Sequence, residues 1–267
     1  FETIATNTPA PAATAAATTA PATAAPAATA EATTDPSMND GSAVPTGEAT
    51  VATNEVVAPS GTPRFCSAGC AEAMYISGIM ETLFAPVYQD NLGELPENGV
   101  LATGFELDPD VKFLDFTLKE GVQFHDGWGE FTAEDVAFSF NDANRNTQPE
   151  SIHGQAGDFA PLIKNFEVLD TYKIRLNYEN YDSRGIRHRF STFWQTAGIT
   201  SKAVYDDKGA DGMRDFRIGT GAWSEESWIQ SDKIVLNAVP DHHRKTASVA
   251  KITFLEVPEA SSRRAML

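Results

Sequence analysis

The stretch LATGFELDPDVKFLDFTLKEGVQFHDG, Leu101 to Gly127, decides the fold. Within it Leu114, Phe116 and Leu118 alternate with Asp115, Thr117 and Lys119, the period-two pattern of a half-buried strand. The run closes on Asp126-Gly127, turn chemistry in which Gly127 takes a positive φ that Trp128 could adopt only at a steric cost. FTAEDVAFSF, Phe131 to Phe140, follows at once. Thr132 stands as N-cap with Asp135 three residues on, a capping-box pair with Asp in place of the usual Glu, and Ala133, Val136, Ala137 and Phe140 form one apolar face. Glu134 and Asp135 also sit at the positive end of the helix dipole.

Working outward, GEATVAT (Gly47–Thr53) reads as a first strand, and NEVVAPSGTPRF (Asn54–Phe65) as the loop after it. AEAMYISGIMETLF (Ala71–Phe84) places Ala73, Ile76, Met80, Leu83 and Phe84 at helical spacing and predicts a helix with a core-facing stripe. FEVLDTYKIRLNYE (Phe166–Glu179) predicts two strands joined at Asp170-Thr171. SDKIVLNAV (Ser231–Val239) and VAKITFLEV (Val249–Val257) predict two more. Strands and helices intersperse without a repeat, so the fold class is α/β with a mixed sheet.

The N-terminal part is different in kind. From Phe1 to Thr34 every residue except Phe1, Glu2, Ile4, Asn7 and Glu31 is Ala, Thr or Pro. Four prolines oppose helix and nothing large and apolar can offset the ordering entropy, so residues 1–45 are expected to be a disordered tether, with a coil reach of about 35–40 Å. The folded module is expected over residues 46–267. Net charge is −17 at pH 7, which repels phosphate backbones and anionic bilayers and sets nucleic-acid and membrane-surface partners aside. No apolar run is long enough to span a bilayer. The chain starts at Phe1 rather than Met, so either a leader was removed or the sequence is a fragment, and both are compatible with an exported protein. Cys66 and Cys70 have a spacing that leaves a disulfide and two inert thiols equally open.

Sites of chemistry are sparse. His125-Asp126 suggests a general base, but no nucleophile or metal cluster stands at a fixed offset, so it reads as a scaffold turn. Asp241-His242-His243 could offer metal ligands, yet third and fourth ligands are not visible at readable spacing, and the doublet reads as a solvated corner. GTGAW (Gly219–Trp223) lacks the pattern and lysine of a phosphate loop and reads as tight backbone geometry. Arg184, Arg187 and Arg189 could meet a ligand carboxylate, or form an ordinary solvated loop. No catalytic residue, metal site or cofactor is expected.

In order and spacing, METLF, the Leu101–Gly127 stretch, FTAEDVAFSF, GTGAW and VAKITFLEV resemble the extracellular solute-binding proteins of the dipeptide, oligopeptide and nickel type (family 5), which serve ABC importers. The resemblance implies the first lobe of a type II periplasmic-binding-protein-like fold, with about 86–198 as an inserted subdomain. It implies no enzyme, but a two-lobe clamp that captures a peptide or similar small solute and presents it to a membrane permease. The full-length protein would be a monomer, periplasmic or at the cell surface and membrane-tethered. EASSRRAML resembles the start of the helix leading into a second lobe, and that second lobe is absent from the 267 residues.

By position relative to the family motifs, Asn54, Glu55, Met74, His153 and Trp194 are expected to line the cleft, with apolar walls from Met74 and Trp194 and polar steering from the other three. One departure is Pro240-Asp241-His242-His243, where the family has an Asn-Pro then a Tyr-Trp pair, so a packing aromatic is absent. The rival reading is a surface-tethered protein-interaction module derived from one such lobe. A regulator's sensor is the third, opposed by the Ala/Thr/Pro tract where a DNA-binding helix pair would stand.

Overall fold

The strand that opens the sequence reading is the centre of an antiparallel sheet. The computed structural model describes residues 44–57, 59–67, 77–84, 99–183, 190 and 198–266, which belong to one compact unit, Met38–Leu267. The first sheet has the order β2-β3-β5-β4, with β2 at Ala102–Leu107, β3 at Phe113–Leu118, β4 at Ile163–Asp170 and β5 at Lys173–Tyr178. All its neighbours are antiparallel. The second has the order β1-β8-β7-β6, from Glu48–Thr53, Lys251–Glu256, Lys233–Ala238 and Trp223–Ile229. Here β1 runs parallel to β8 and the rest antiparallel, the mixed sheet expected.

Alternation on β3 holds for the core face, since Leu114, Phe116 and Leu118 are all buried. Asp115, on the opposite face, is buried too, because Arg175 on β5 closes a two-pronged pair on it (Nε to Oδ1 2.7 Å, Nη2 to Oδ2 2.9 Å). Helix α1, Ala133–Ala143, covers the sheet; Phe140 stacks on Phe166 of β4 at 4.6 Å between ring centroids. Its start is fixed as the sequence predicts, with the Thr132 amide donating to Asp135 Oδ2 at 2.8 Å. The other oxygen, Oδ1, accepts the Lys202 amide at 2.8 Å, at the start of a helix that runs over Lys202–Gly212 and is interrupted at Gly209, whose φ is 66°. One carboxylate thus sets two helix starts. A short helical turn at Ala156–Phe159 and a final helix at Ala260–Ala265 complete the described elements.

The helix expected over Ala71–Phe84 is corrected from Ser77 onward. The earlier part lies outside the described residues, but Ser77–Phe84 forms turns and bends, with Gly78 at φ 72°. The backbone there bonds to neighbours rather than to itself. Ile79 O accepts Gly221 N at 2.9 Å, Glu81 O accepts Ile199 N at 3.0 Å, and Leu83 O accepts the amides of Val100, Leu101 and Ala102. The apolar spacing does mark core: Ile79, Met80, Leu83 and Phe84 are buried. Ile79 and Met80 join the small core with Val56, Trp228, Ile234 and Leu236, whereas Leu83 and Phe84 join the larger core under β2–β5. This segment therefore links two cores.

Cys66 is disulfide-bonded, which settles it as no free thiol; Cys70, the other cysteine of the chain, lies outside the described residues. Among the described residues no helix is long and apolar enough to cross a membrane.

The double duty of Asp135 gives a direct test. Asp135→Ala deprives two backbone amides of their buried carboxylate acceptor and is expected to lower the unfolding free energy by about 2–3 kcal/mol, measured by urea denaturation. A loss within about 0.5 kcal/mol would refute the shared-cap account.

Candidate functional site

Four of the motifs read from the sequence meet at one place. His125, in the turn after the decisive stretch, donates its amide to Gly219 O at 3.0 Å, and its Nε2–H to Gly221 O at 2.8 Å. His242 donates Nε2–H to the intervening carbonyl, Thr220 O, at 3.0 Å. The GTGAW turn is pressed so closely on Gly78–Met80 that a Cβ on Gly219 would lie 2.1 Å from Ile79 O, and one on Gly221 would lie 2.0 Å from Gly78 O. Only glycine fits at either position. The tight-geometry reading of GTGAW is thus borne out.

At the centre is Glu81, a carboxylate with only 4% of its side chain exposed. Its Oε2 accepts Thr220 Oγ1–H at 2.9 Å and His243 Nε2–H at 2.7 Å. Its Oε1 accepts two nitrogens of Arg244, Nη2 at 2.6 Å and Nε at 2.7 Å, and His242 Nε2 stands 3.7 Å away. Burial alone would push this carboxyl up, but the imidazole N–H groups of His242 and His243 and the charge of Arg244 outweigh it and hold the group well below the usual carboxylate range. Lys119 Nζ lies 3.1 Å from His243 Nδ1, so that ring carries its proton on Nε2.

The solvated-corner reading of His242-His243 is overturned. Their side chains are 3% and 14% exposed, and their rings lean on each other at 4.5 Å. The third group missing from the sequence reading is Glu81, 162 residues away in the chain. Asp241 turns outward with φ at 51° and lets the pair turn in. Glu81, His242 and His243 offer three ligand atoms that all lie within 4.8 Å of one another.

His125-Asp126 resolves as a scaffold turn, with Gly127 at φ 74° as expected, and Asp126 itself also left-handed at φ 56°. His125 is buried, and burial, opposed by the Gly221 carbonyl, lowers its pKa. Its Nδ1 has no partner among the described residues.

Of the expected cleft residues, Asn54 and Glu55 are exposed at the end of β1, on a loop that is tightly held. The Val56 amide donates to Glu256 Oε2 at 2.8 Å, Trp228 Nε1–H to Val57 O at 2.9 Å, and the almost wholly buried Arg217 pairs with Glu225 while donating to Pro59 O at 2.9 Å. Two exposed side chains thus stand on a clamped loop. His153 differs. It is 4% exposed, stacks on Phe159, accepts the Gln155 amide on Nδ1 at 3.0 Å, and its loop donates backbone amides to the carbonyls of Arg64 and Cys66. His153 thus stands in a packed environment. Met74, Trp194, Arg184, Arg187 and Arg189 lie outside the described residues. A groove of about 540 Å³ runs past Arg64, Phe138, Asp142 and Tyr205, but its Arg64 is already committed to Asp142 and to Tyr205 Oη.

Residues 98–267 match the family described as "Bacterial extracellular solute-binding proteins, family 5 Middle". The chain belongs to that family. It is similar to the oligopeptide-binding protein AppA of Bacillus subtilis, 24% identical over 164 residues that make up 61% of this chain and 29% of AppA. It is also similar to the probable D,D-dipeptide-binding periplasmic protein DdpA of Escherichia coli, 26% identical over 66% of this chain and 33% of DdpA. The chain thus spans about a third of these curated relatives. In structure it resembles the periplasmic binding protein DppA from Helicobacter pylori in complex with the peptide STSA, with a TM-score of 0.68 and 24% identity over 83% of this chain and 44% of that one. The dipeptide-binding protein of Pseudoalteromonas sp. SM9913 in complex with Met-Leu also gives 0.68, at 19% identity over 82% and 45%. At these identities the structures establish the fold, the type II binding-protein lobe expected from the sequence.

The His153 environment predicts a pH dependence. Burial lowers its pKa from 6.5 to about 4, so in the folded state the ring stays neutral where the unfolded chain already binds a proton. Stability present above pH 6.5 is then lost as pH falls toward 4, by up to about 3 kcal/mol. Urea titrations between pH 7 and 4 should show this slope in the unmodified chain and a shallower one in His153→Asn, whose amide oxygen can still accept the Gln155 amide. Equal slopes would contradict the assignment.

Proposed function

We propose that the chain is part of the extracytoplasmic solute-binding component of an ABC importer, which captures a peptide or a similar small solute and delivers it to a membrane permease. The family match over residues 98–267 carries this reading. The names of its relatives, an oligopeptide-binding and a D,D-dipeptide-binding protein, support a peptide as the solute. The protein acts at the periplasmic or outer face of the membrane, with the Ala/Thr/Pro tract as its tether and residues 46–267 as its first lobe. No bond is made or broken. Binding selects a closed arrangement of lobes, and the permease reads that arrangement.

Within the described residues, Asn54 and Glu55 are the solute-facing pair of this proposal. Their side chains are exposed, while backbone bonds on both sides hold the loop still, so little ordering entropy is lost on binding. Glu55 supplies a carboxylate suited to a peptide's cationic amino terminus.

Isothermal titration calorimetry of the full-length protein against a panel of di- to nonapeptides is expected to show one-to-one binding. Glu55→Ala should weaken it by roughly tenfold without moving the thermal midpoint, since the side chain is exposed. A folded protein that gives no heat with any peptide overturns the peptide reading. Unchanged affinity in Glu55→Ala removes that residue from the site.

A further inference from the structure

We propose that Glu81, His242 and His243 bind one divalent ion of the Zn2+ or Ni2+ kind. Adjacent side chains usually point apart, yet both imidazoles turn Nε2 to the same carboxylate, at 2.7 Å from His243 to Oε2 and 3.7 Å from His242 to Oε1. All three ligand atoms lie within 4.8 Å of one another. A tetrahedral ion with bonds of about 2.0–2.1 Å keeps its ligands about 3.3 Å apart, a spacing between the two observed. Rotation of the rings would accommodate it, with His242 Nε2 giving up its bond to Thr220 O.

The donor set points to the ion. Two imidazoles and a carboxylate favour borderline transition metals over Mg2+ and Ca2+, which prefer all-oxygen cages. Thr220 Oγ1–H holds Glu81 Oε2 and would orient the carboxylate as an outer partner, in the way metal-ligating carboxylates are commonly held. Three protein ligands leave a fourth position for water or a solute group.

Arg244 competes with an ion for Glu81 Oε1. Its guanidinium caps Glu81 Oε1, but 47% of its side chain is exposed, so it can swing into water and hand the carboxylate over. Coordination through Nε2 also moves each ring's proton to Nδ1. Lys119 Nζ, 3.1 Å from Nδ1 of His243, must then turn away. Both cations oppose the ion, and this fixes the sign of a test: removing Arg244 should strengthen metal binding. A ligand set that merely holds the fold would bind no ion in either form.

Equilibrium dialysis of the full chain against Zn2+ and, separately, Ni2+, with Mg2+ as control, reads bound metal by mass spectrometry. The expected result is one equivalent of Zn2+ or Ni2+ and none of Mg2+. Arg244→Gln should tighten it about tenfold, the effect of a positive charge withdrawn from beside the site. His243→Ala should weaken it about 100-fold or more, and His242→Asn does the same if His243→Ala proves unfolded by circular dichroism. The proposal is overturned if neither the unmodified chain nor Arg244→Gln takes up an equivalent. It is also overturned if Arg244→Gln binds more weakly, or if binding survives both histidine substitutions, which would place the ion elsewhere.

Discussion

A carboxylate buried to within 4% of full enclosure has to be neutralised by the chain around it, and the fold depends on how Glu81 meets that need. Stripping a buried ion of its partner costs several kcal/mol, because the charge is left without water and without compensation. Glu81 draws its partners from the GTGAW turn and from the loop after β7. His125 and His242 grip the carbonyls of that same turn. Segments distant in sequence are thereby held in one register. The requirement is electrostatic, and the glycines at 219 and 221 make it sterically possible.

The same segment links the two apolar cores, with Ile79 and Met80 in one and Leu83 and Phe84 in the other. The sheet β1-β8-β7-β6 presents the loop with Asn54 and Glu55, and that loop is clamped by Trp228, Arg217 and Glu256. A binding protein needs such a division. The exposed Asn54 and Glu55 side chains stand on an immobilised backbone, while the buried cluster around Glu81 ties distant segments together.

Much of the scaffold was legible because it is written in local periodicity. The alternation in β3, the capped start of α1 and the turn glycine at 127 each declare themselves within a few residues, and all are present. Over the described part of the expected stripe, Met80, Leu83 and Phe84 are core as expected, but the segment is not a helix. Apolar spacing cannot tell a helix from an irregular segment whose carbonyls are taken by neighbours, and Gly78 was the local signal against helix. The site was hardest to see. Glu81 and His243 are 162 residues apart and no pattern joins them, although an acidic residue inside an apolar stripe is itself a sign that a partner must exist. The burial of His153 was not legible either, since position relative to a motif carries no information about burial.

The central claim is that Glu81 locks distant segments into one cooperative unit, and hydrogen exchange of Glu81→Ala beside the unmodified chain, followed by mass spectrometry, tests it most directly. Peptides covering residues 79–84, 219–223 and 240–246 should lose protection together, while those from β3 and β5 keep theirs. If protection falls only beside position 81, or if all peptides weaken equally, the lock is not where this account places it.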